Sequence, residues 1–201
     1  MYPSLGLEAK SLACERGGRL IFKNLSFALA SGEALALRGP NGSGKSSLLR
    51  LLAGLNKPAD GSVSLSGSEK PLGELSHYVG HAEALKTSLT VWQNLEFWTR
   101  FLDGVPVRTT LEPFRLNKLA DDDVRLLSEG QRRRLALSRL VAVKRPLWLL
   151  DEPTVGLDQQ ALTDLRREMT AHLKEGGMIL AATHAEFGLP GIRTLNLESE
   201  S

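Results

Sequence analysis

The sequence predicts an α/β fold with a mainly parallel central sheet and an N-terminal antiparallel β region. Three observations carry that expectation. Continuous apolar runs of the buried parallel-strand kind, residues 147–150 and 178–182, alternate with stretches of helix-forming composition near 131–143 and 159–174. The apolar run Ala34-Leu35-Ala36-Leu37 opens onto a glycine-rich stretch and then onto helix formers from Ser47 to Ala53. Residues 5–30 alternate short apolar runs with turn residues, Gly17-Gly18 and Ser31-Gly32, as hairpin strands do.

The elements follow in order. Leu20-Ile21-Phe22 and Leu25-Ser26-Phe27-Ala28-Leu29 read as strands around the Gly17-Gly18 turn. After the helix at 47–53, Gly54, Pro58 and Gly61 punctuate the chain, and residues 62–67 alternate like a short edge strand. Val91, Leu95, Trp98 and Leu102 recur at helical spacing until Asp103-Gly104-Val105-Pro106 breaks the pattern. A mixed segment ends in the triplet Asp121-Asp122-Asp123, and a second helix runs from Gln131 to about Val143, stopped by Pro146. No internal repeat, low-complexity segment or linker marks a second independent domain, so residues 1–201 read as one domain.

Gly39-Pro40-Asn41-Gly42-Ser43-Gly44-Lys45-Ser46 has the spacing G-x-x-x-x-G-K-[ST] between a strand and a helix. Glycines let the backbone turn tightly, so that successive N–H groups converge on phosphate oxygens. The helix start adds unpaired N–H donors and a positive dipole end. Lys45 is placed to reach β- and γ-phosphates and the Ser46 hydroxyl to take one position on Mg²⁺, and Ser47 is counted with the loop residues around the bound polyphosphate. Residues 149–153, Leu-Leu-Asp-Glu-Pro, end an apolar strand in two acids, which is costly unless positive charge awaits them. Asp151 can act on Mg²⁺ through a coordinated water and Glu152 can serve as general base toward the γ-phosphate. The plainer alternative for the pair is an acidic helix N-cap. Leu127-Ser128-Glu129-Gly130-Gln131 starts a helix with a serine and a glycine, which suits an anion or simply a capped helix.

Composition bounds the rest. The 201 residues are 42% hydrophobic, enough for a core, and the formal charge of +2 implies no large basic surface, so nucleic acid is not an expected partner. Cys14 is the only cysteine, which excludes an internal disulfide and fits a reducing compartment. The N-terminal residues lack the features of a signal peptide, and no run of about 18 apolar residues occurs.

The phosphate loop, Leu-Ser-Glu-Gly-Gln at 127–131, Leu-Leu-Asp-Glu-Pro, Val155-Gly156-Leu157-Asp158 and Ala182-Thr183-His184, taken in that order, resemble the ABC ATPases of the P-loop NTPases. The resemblance spans essentially the whole chain. It implies an ATPase with ATP and Mg²⁺ as cofactors and a small helical subdomain at about 82–130. It makes Gly39 to Ser46 the Walker A loop, Asp151-Glu152 the end of Walker B, Asp158 part of the D-loop and His184 a γ-phosphate switch. Lys45, Glu152 and His184 would be catalytic. Ser128, Glu129, Gly130 and Gln131 would be the signature that closes over ATP on a second copy, giving a homodimer with two sites. Glu129 departs from the family's glycine, His81 stands where a glutamine is usual, and Arg16 falls where an aromatic stacks on adenine.

Cys14-Glu15-Arg16, Gly80-His81, residues 85–90 and the compact chain resemble one branch, the ATP-binding subunits of the haem exporter in bacterial cytochrome c maturation. That implies a CcmB-like membrane subunit with CcmC, CcmD and the haem chaperone CcmE in the pathway. It also implies a peripheral place on the cytoplasmic face of the inner membrane and release of haem-loaded CcmE driven by ATP hydrolysis. Direct haem ligation is not expected, since no C-x-x-C-H motif occurs. An ABC ATPase of another transporter and a soluble assembly scaffold are the rival readings. Trp92, Phe97, Trp98 and Phe101 are expected mainly in a subdomain core, with a docking groove as the alternative. Arg132-Arg133-Arg134 is expected as solvated surface with some support of the phosphate loop or signature, rather than as a nucleic-acid patch, because consecutive helical residues spread around the axis.

Overall fold

The computed structural model describes residues 1–184 and 187–197 and divides the chain into two compact units. The first holds residues 1–80, 145–152 and 170–201; the second holds 81–144 and 153–169.

In the first unit, β1 (Gly6–Arg16) and β2 (Arg19–Ala30) form the hairpin about Gly17-Gly18, and β4 (Asp60–Ser66) adds to the other edge of β1. All three are antiparallel. Register shifts between Ala9 and Glu15, with Ser11 and Asn24 at positive φ, bend the long hairpin strands. Two apolar runs in the sequence thus belong to one strand, β2, interrupted by local backbone irregularity rather than by a turn.

The second sheet of this unit is wholly parallel. β3 (Ala34–Arg38), β5 (Ser76–Val79), β6 (Leu147–Asp151), β7 (Met178–Ala182) and β8 (Arg193–Asn196) lie in the order β5-β6-β7-β3-β8. Every residue of β6 and β7 is buried, which accounts for their unbroken apolar composition. Leu35, Leu37, Leu147, Leu149, Met178 and Leu180 share one core with Leu7, Leu12 and Phe22 of the hairpin and with Leu48, Leu49 and Leu52 of helix α1 (Lys45–Leu52). The next residues along β6 and β7 alternate to the opposite face, where Trp148 stacks on His172 at 3.9 Å. His172 has Tyr2 at its edge, 5.2 Å away, and the backbone of Gly177 leaves no room for a Cβ against the imidazole.

The second unit holds α2 (Val91–Phe101), several 3₁₀ turns between Arg108 and Leu126, and α3 (Glu129–Ala142). Helix α4 (Gln159–Lys174) begins in this unit and ends in the first. Thr90 caps α2 through a reciprocal box with Gln93: its hydroxyl accepts from the Gln93 N–H and its own N–H donates to Gln93 Oε1. Val91, Leu95, Leu111, Phe114, Leu116, Val124, Leu135 and Leu140 are buried.

Two expectations are corrected in this unit. None of the four clustered aromatics is fully buried: Phe97 and Phe101 are exposed, at 43% and 66%, and Trp92 and Trp98 are half-buried. Their helix is short and turns its core stripe through Val91, Asn94 and Leu95 instead. In the arginine triplet, Arg133 is buried and Arg132 and Arg134 are half-buried, because α3 packs on more than one side.

Candidate nucleotide site

The loop in the first unit is built by the parallel sheet. Leu37 of β3 pairs with Ala182 of β7, and Ala182 pairs with Asp151 of β6, so three segments distant in sequence end at one edge. Chain beyond each strand emerges there: the glycine loop after β3, Glu152 after β6, and Thr183-His184 after β7. This carboxyl edge is where parallel α/β sheets bind ligands. The edge is laced by backbone bonds. Glu152 N–H donates to Ala182 O at 2.9 Å, and the Arg38 guanidinium donates to Thr183 O at 2.8 Å.

Gly39 lies at φ +145°, and a Cβ there would strike the Leu197 carbonyl and come within 2.8 Å of Ser43 Oγ. Gly44 caps α1 at φ +95°, with Ile21 Cγ2 and Phe22 Cδ1 within 2.8 Å of where a Cβ would sit. Both positions exclude any other residue by conformation and by contact, Gly39 against the Leu197 carbonyl and Gly44 against the hairpin. Ser43 is fully buried, and its hydroxyl has no hydrogen-bond partner among the described residues. Such a group costs about 1–3 kcal/mol unless something satisfies it. A phosphate oxygen, or a water brought with it, has the acceptor chemistry to do so.

Lys45 is buried although charged, and its ammonium donates to the carbonyls of Gly39 at 2.8 Å and Pro40 at 3.0 Å. The side chain therefore arches over the loop with a third donor left. Ser46 is exposed in the first turn of α1, whereas Ser47 is half-buried and hydrogen-bonded to the Cys14 thiol, whose pKa burial pushes up. Arg16 is exposed at the tip of β1, in electrostatic reach of Cys14.

Asp151 is buried at the end of β6. Glu152 sits at φ +46°, an uncommon conformation for a residue with a side chain. It turns its carboxylate Oε1 to within 3.6 Å of His184 Nε2. Sequence reasoning paired these residues only through the family resemblance. Neither the glutamate's backbone nor the Arg38 clamp left a readable signal.

The second unit brings together the signature and the segment ending at Asp158. Ser128 caps α3: its hydroxyl accepts from the Gln131 N–H at 3.2 Å, while its own N–H donates to Gln131 Oε1 at 2.7 Å. Asp158 Oδ1 accepts from the Ala161 N–H at 2.7 Å at the start of α4. A Cβ on Gly130 would lie 2.8 Å from Gly156 O, so only glycine permits this approach. Ser128, Gly130, Gln131, Arg134, Gly156 and Asp158 line a concavity of about 260 Å³. The plain N-cap reading of Ser128 is thus correct as far as it goes, and the hydroxyl keeps a proton to donate.

Elsewhere in this unit, His81 is exposed and Glu83 lies 3.7 Å from Arg132, its carboxyl raised by burial against the pull of nearby arginines. Arg139 lies over the Trp98 ring at 4.6 Å, and burial lowers its pKa to about 10. Neither buried arginine was legible as such, since α3 carries arginines on several faces.

A phosphate loop joined to carboxylates at the ends of neighbouring parallel strands defines a P-loop nucleotide-binding cassette. The family model for ABC transporters matches residues 22–155, and the chain belongs to that family as an ABC-type ATPase. It is 50% identical over 187 residues to the cytochrome c biogenesis ATP-binding export protein CcmA of Rhodopseudomonas palustris strain HaA2, covering 91% of this chain and 94% of that protein. The protein of the same name from Paramagnetospirillum magneticum is 46% identical over 201 residues, with 94% and 93% covered. Among solved structures, an ATP-binding subunit of an ABC transporter superposes with a TM-score of 0.84 at 23% identity, covering 97% of this chain and 88% of the other. A dimeric ATP-binding cassette bound to ADP and phosphate superposes with a TM-score of 0.81 at 24% identity, with 97% of each chain covered. At these identities the structures speak to the fold alone.

Proposed function

We propose that this chain is the ATP-hydrolysing subunit of a cytochrome c biogenesis exporter, working as a pair of copies on a membrane partner. The observation that carries the ATPase assignment is the Glu152–His184 approach of 3.6 Å at the strand edge that also holds the phosphate loop. The cargo and partner rest on the resemblance to the CcmA proteins, at about half the residues identical.

In the proposed reaction, water attacks the γ-phosphate in line and the bond to the β-phosphate oxygen breaks. Glu152 takes the proton of the attacking water. The positive φ of Glu152 and its N–H bond to Ala182 aim that carboxylate, and His184 orients it from the other side while facing the γ-phosphate. Lys45 and the loop N–H groups hold the phosphates, their positions set by Gly39 and Gly44. Arg16, exposed at the end of β1, would stack on the base. Mg²⁺ suits the donor set, a serine hydroxyl and an aspartate rather than a cluster of three His, Cys, Asp or Glu, of which there is none among the described residues. Ser46, and Asp151 through water, would hold it, and when bound it supplies positive charge to the phosphates.

Ser128, Gly130 and the α3 N-terminus serve the ATP of the second copy, with Glu129 and Gln131 completing the segment and Asp158 beside it. ATP then joins the two copies and hydrolysis separates them. Residues 82–130 are the helical subdomain that meets the membrane partner, with His81 at its entry. Exposed Phe97 and Phe101, stacked at 6.1 Å, offer an apolar face to a helix of that partner. Among the described residues no helix is long and apolar enough to cross a membrane, so attachment at the cytoplasmic face would come through that partner.

Glu152→Gln tests the reading. It should retain Mg·ATP, accumulate as a dimer by light scattering, and turn over at least about 100-fold more slowly. Turnover at the wild-type rate would remove Glu152 as base. Phe97→Ser with Phe101→Ser should weaken co-purification with the membrane subunit while leaving ATP binding intact.

A further inference from the structure

Glu129 is the first residue of α3, in the segment that the proposed function places against the second copy's ATP. Its carboxylate stands in electrostatic reach of Glu83, whose carboxyl it helps push up rather than pairs with. The capping box belongs to Ser128 and Gln131, and Glu129 makes no hydrogen bond or ion pair among the described residues. It is exposed, and it leans over Gly156: its Oε1 and Cγ lie 3.7 and 3.8 Å from where a Gly156 Cβ would be. Gly156 helps line the concavity with Ser128, Gly130 and Arg134, so the carboxylate lies beside one wall of it.

A helix N-terminus favours a negative group within its first turn. In the separated copy Glu129 supplies that group. In the closed pair a γ-phosphate would need the same unpaired N–H groups and the same positive end of the helix. Two negative charges then face one helix end and repel each other, and the tethered one is always present. We infer that the Glu129 carboxylate is a built-in counter-anion that opposes ATP-driven closure of the two copies, setting how much nucleotide the pair needs to close.

The inference rests on the proposed pairing of copies, and its size follows from charge. In water two unit charges several ångströms apart oppose each other by roughly threefold in affinity, so two sites per dimer give about tenfold. Screening should remove most of this at high ionic strength, where the Debye length falls to about 3 Å at 1 M salt.

The experiment is Glu129→Gln placed in the Glu152→Gln background, with dimerisation measured against Mg·ATP by analytical ultracentrifugation at low and high salt. The expected result is a dimer dissociation constant about tenfold lower at low salt, converging on the parent at high salt. Nucleotide affinity at concentrations where the protein is monomeric should stay the same. Tighter, salt-dependent closure at unchanged monomer affinity is a combination that a purely structural role would not produce. Glu129→Asp should keep the salt dependence of the parent. If the Glu152→Gln parent binds Mg·ATP yet never dimerises, the proposed pairing itself fails. If the parent dimerises and Glu129→Gln leaves the constant unchanged, or weakens closure, the counter-anion is overturned while the pairing stands.

Discussion

The phosphate loop with its strand-end acids and the signature concavity are both anion sites in the proposed mechanism, yet they are built by opposite means. The first is fixed from below by hydrogen-bonded register: Leu37, Ala182 and Asp151 are locked side by side, and everything beyond them inherits that alignment. The second has no strand beneath it. Its polar side chains are occupied in their own helix ends, Ser128 and Gln131 at α3 and Asp158 at α4, and the two segments touch through Gly130 against Gly156. The difference teaches where each is vulnerable. The loop site should fail through its charges, and the signature site through a single methyl group.

The sharpest break comes from Lys45→Ala. It removes a buried ammonium that holds two loop carbonyls and is assigned to the phosphates, so kcat/KM for ATP should fall by about 10²–10³. A loss under tenfold would mean that backbone donors alone suffice. Leu49→Ala, beneath the loop in the fully buried core, should cost about 2–5 kcal/mol of stability in urea unfolding. Gly130→Ala should cost about 1–3 kcal/mol as the new Cβ meets Gly156 O. In that variant, monomeric nucleotide binding should persist while dimer-dependent turnover drops; a loss of monomer binding would erase the contrast between the regions. Ser128→Ala should cost about 1 kcal/mol by removing the cap of α3, read as a lowered thermal midpoint.

The smallest effect lies outside both regions and checks that neither governs alkaline stability. Burial, with Glu175 nearby, pushes the Tyr2 phenol up to about 12. A raised pKa means the folded state holds the proton more tightly than the unfolded one. That contribution is intact below about pH 10 and is lost as pH rises toward 12. Tyr2→Phe should flatten that limb of a stability–pH profile.

Much of this was legible in the chain. The loop could be read because its chemistry needs glycines and a lysine at fixed spacing, and β6 and β7 because strands buried on both faces are apolar throughout. β8 was not legible: Arg-Thr-Leu-Asn is short and mostly exposed at the sheet edge, without alternation to mark it. The exposure of Phe97 and Phe101 and the burial of Arg133 and Arg139 reverse what composition suggests. A helix shows its neighbours only through the elements that pack on it, and those are set by contacts remote in sequence.

Apart from β8, the local pieces were written in the chain: the other strands, the long helices, and the loop positions where the backbone must be glycine. Only the tertiary structure decided that Glu152 faces His184, that Arg38 clasps Thr183, and that Gly130 rests on Gly156. Those pairs span from about 26 to about 145 positions along the chain. Short-range propensity carries no information over such distances; it is the register of parallel strands and the close approach of backbones that fix them.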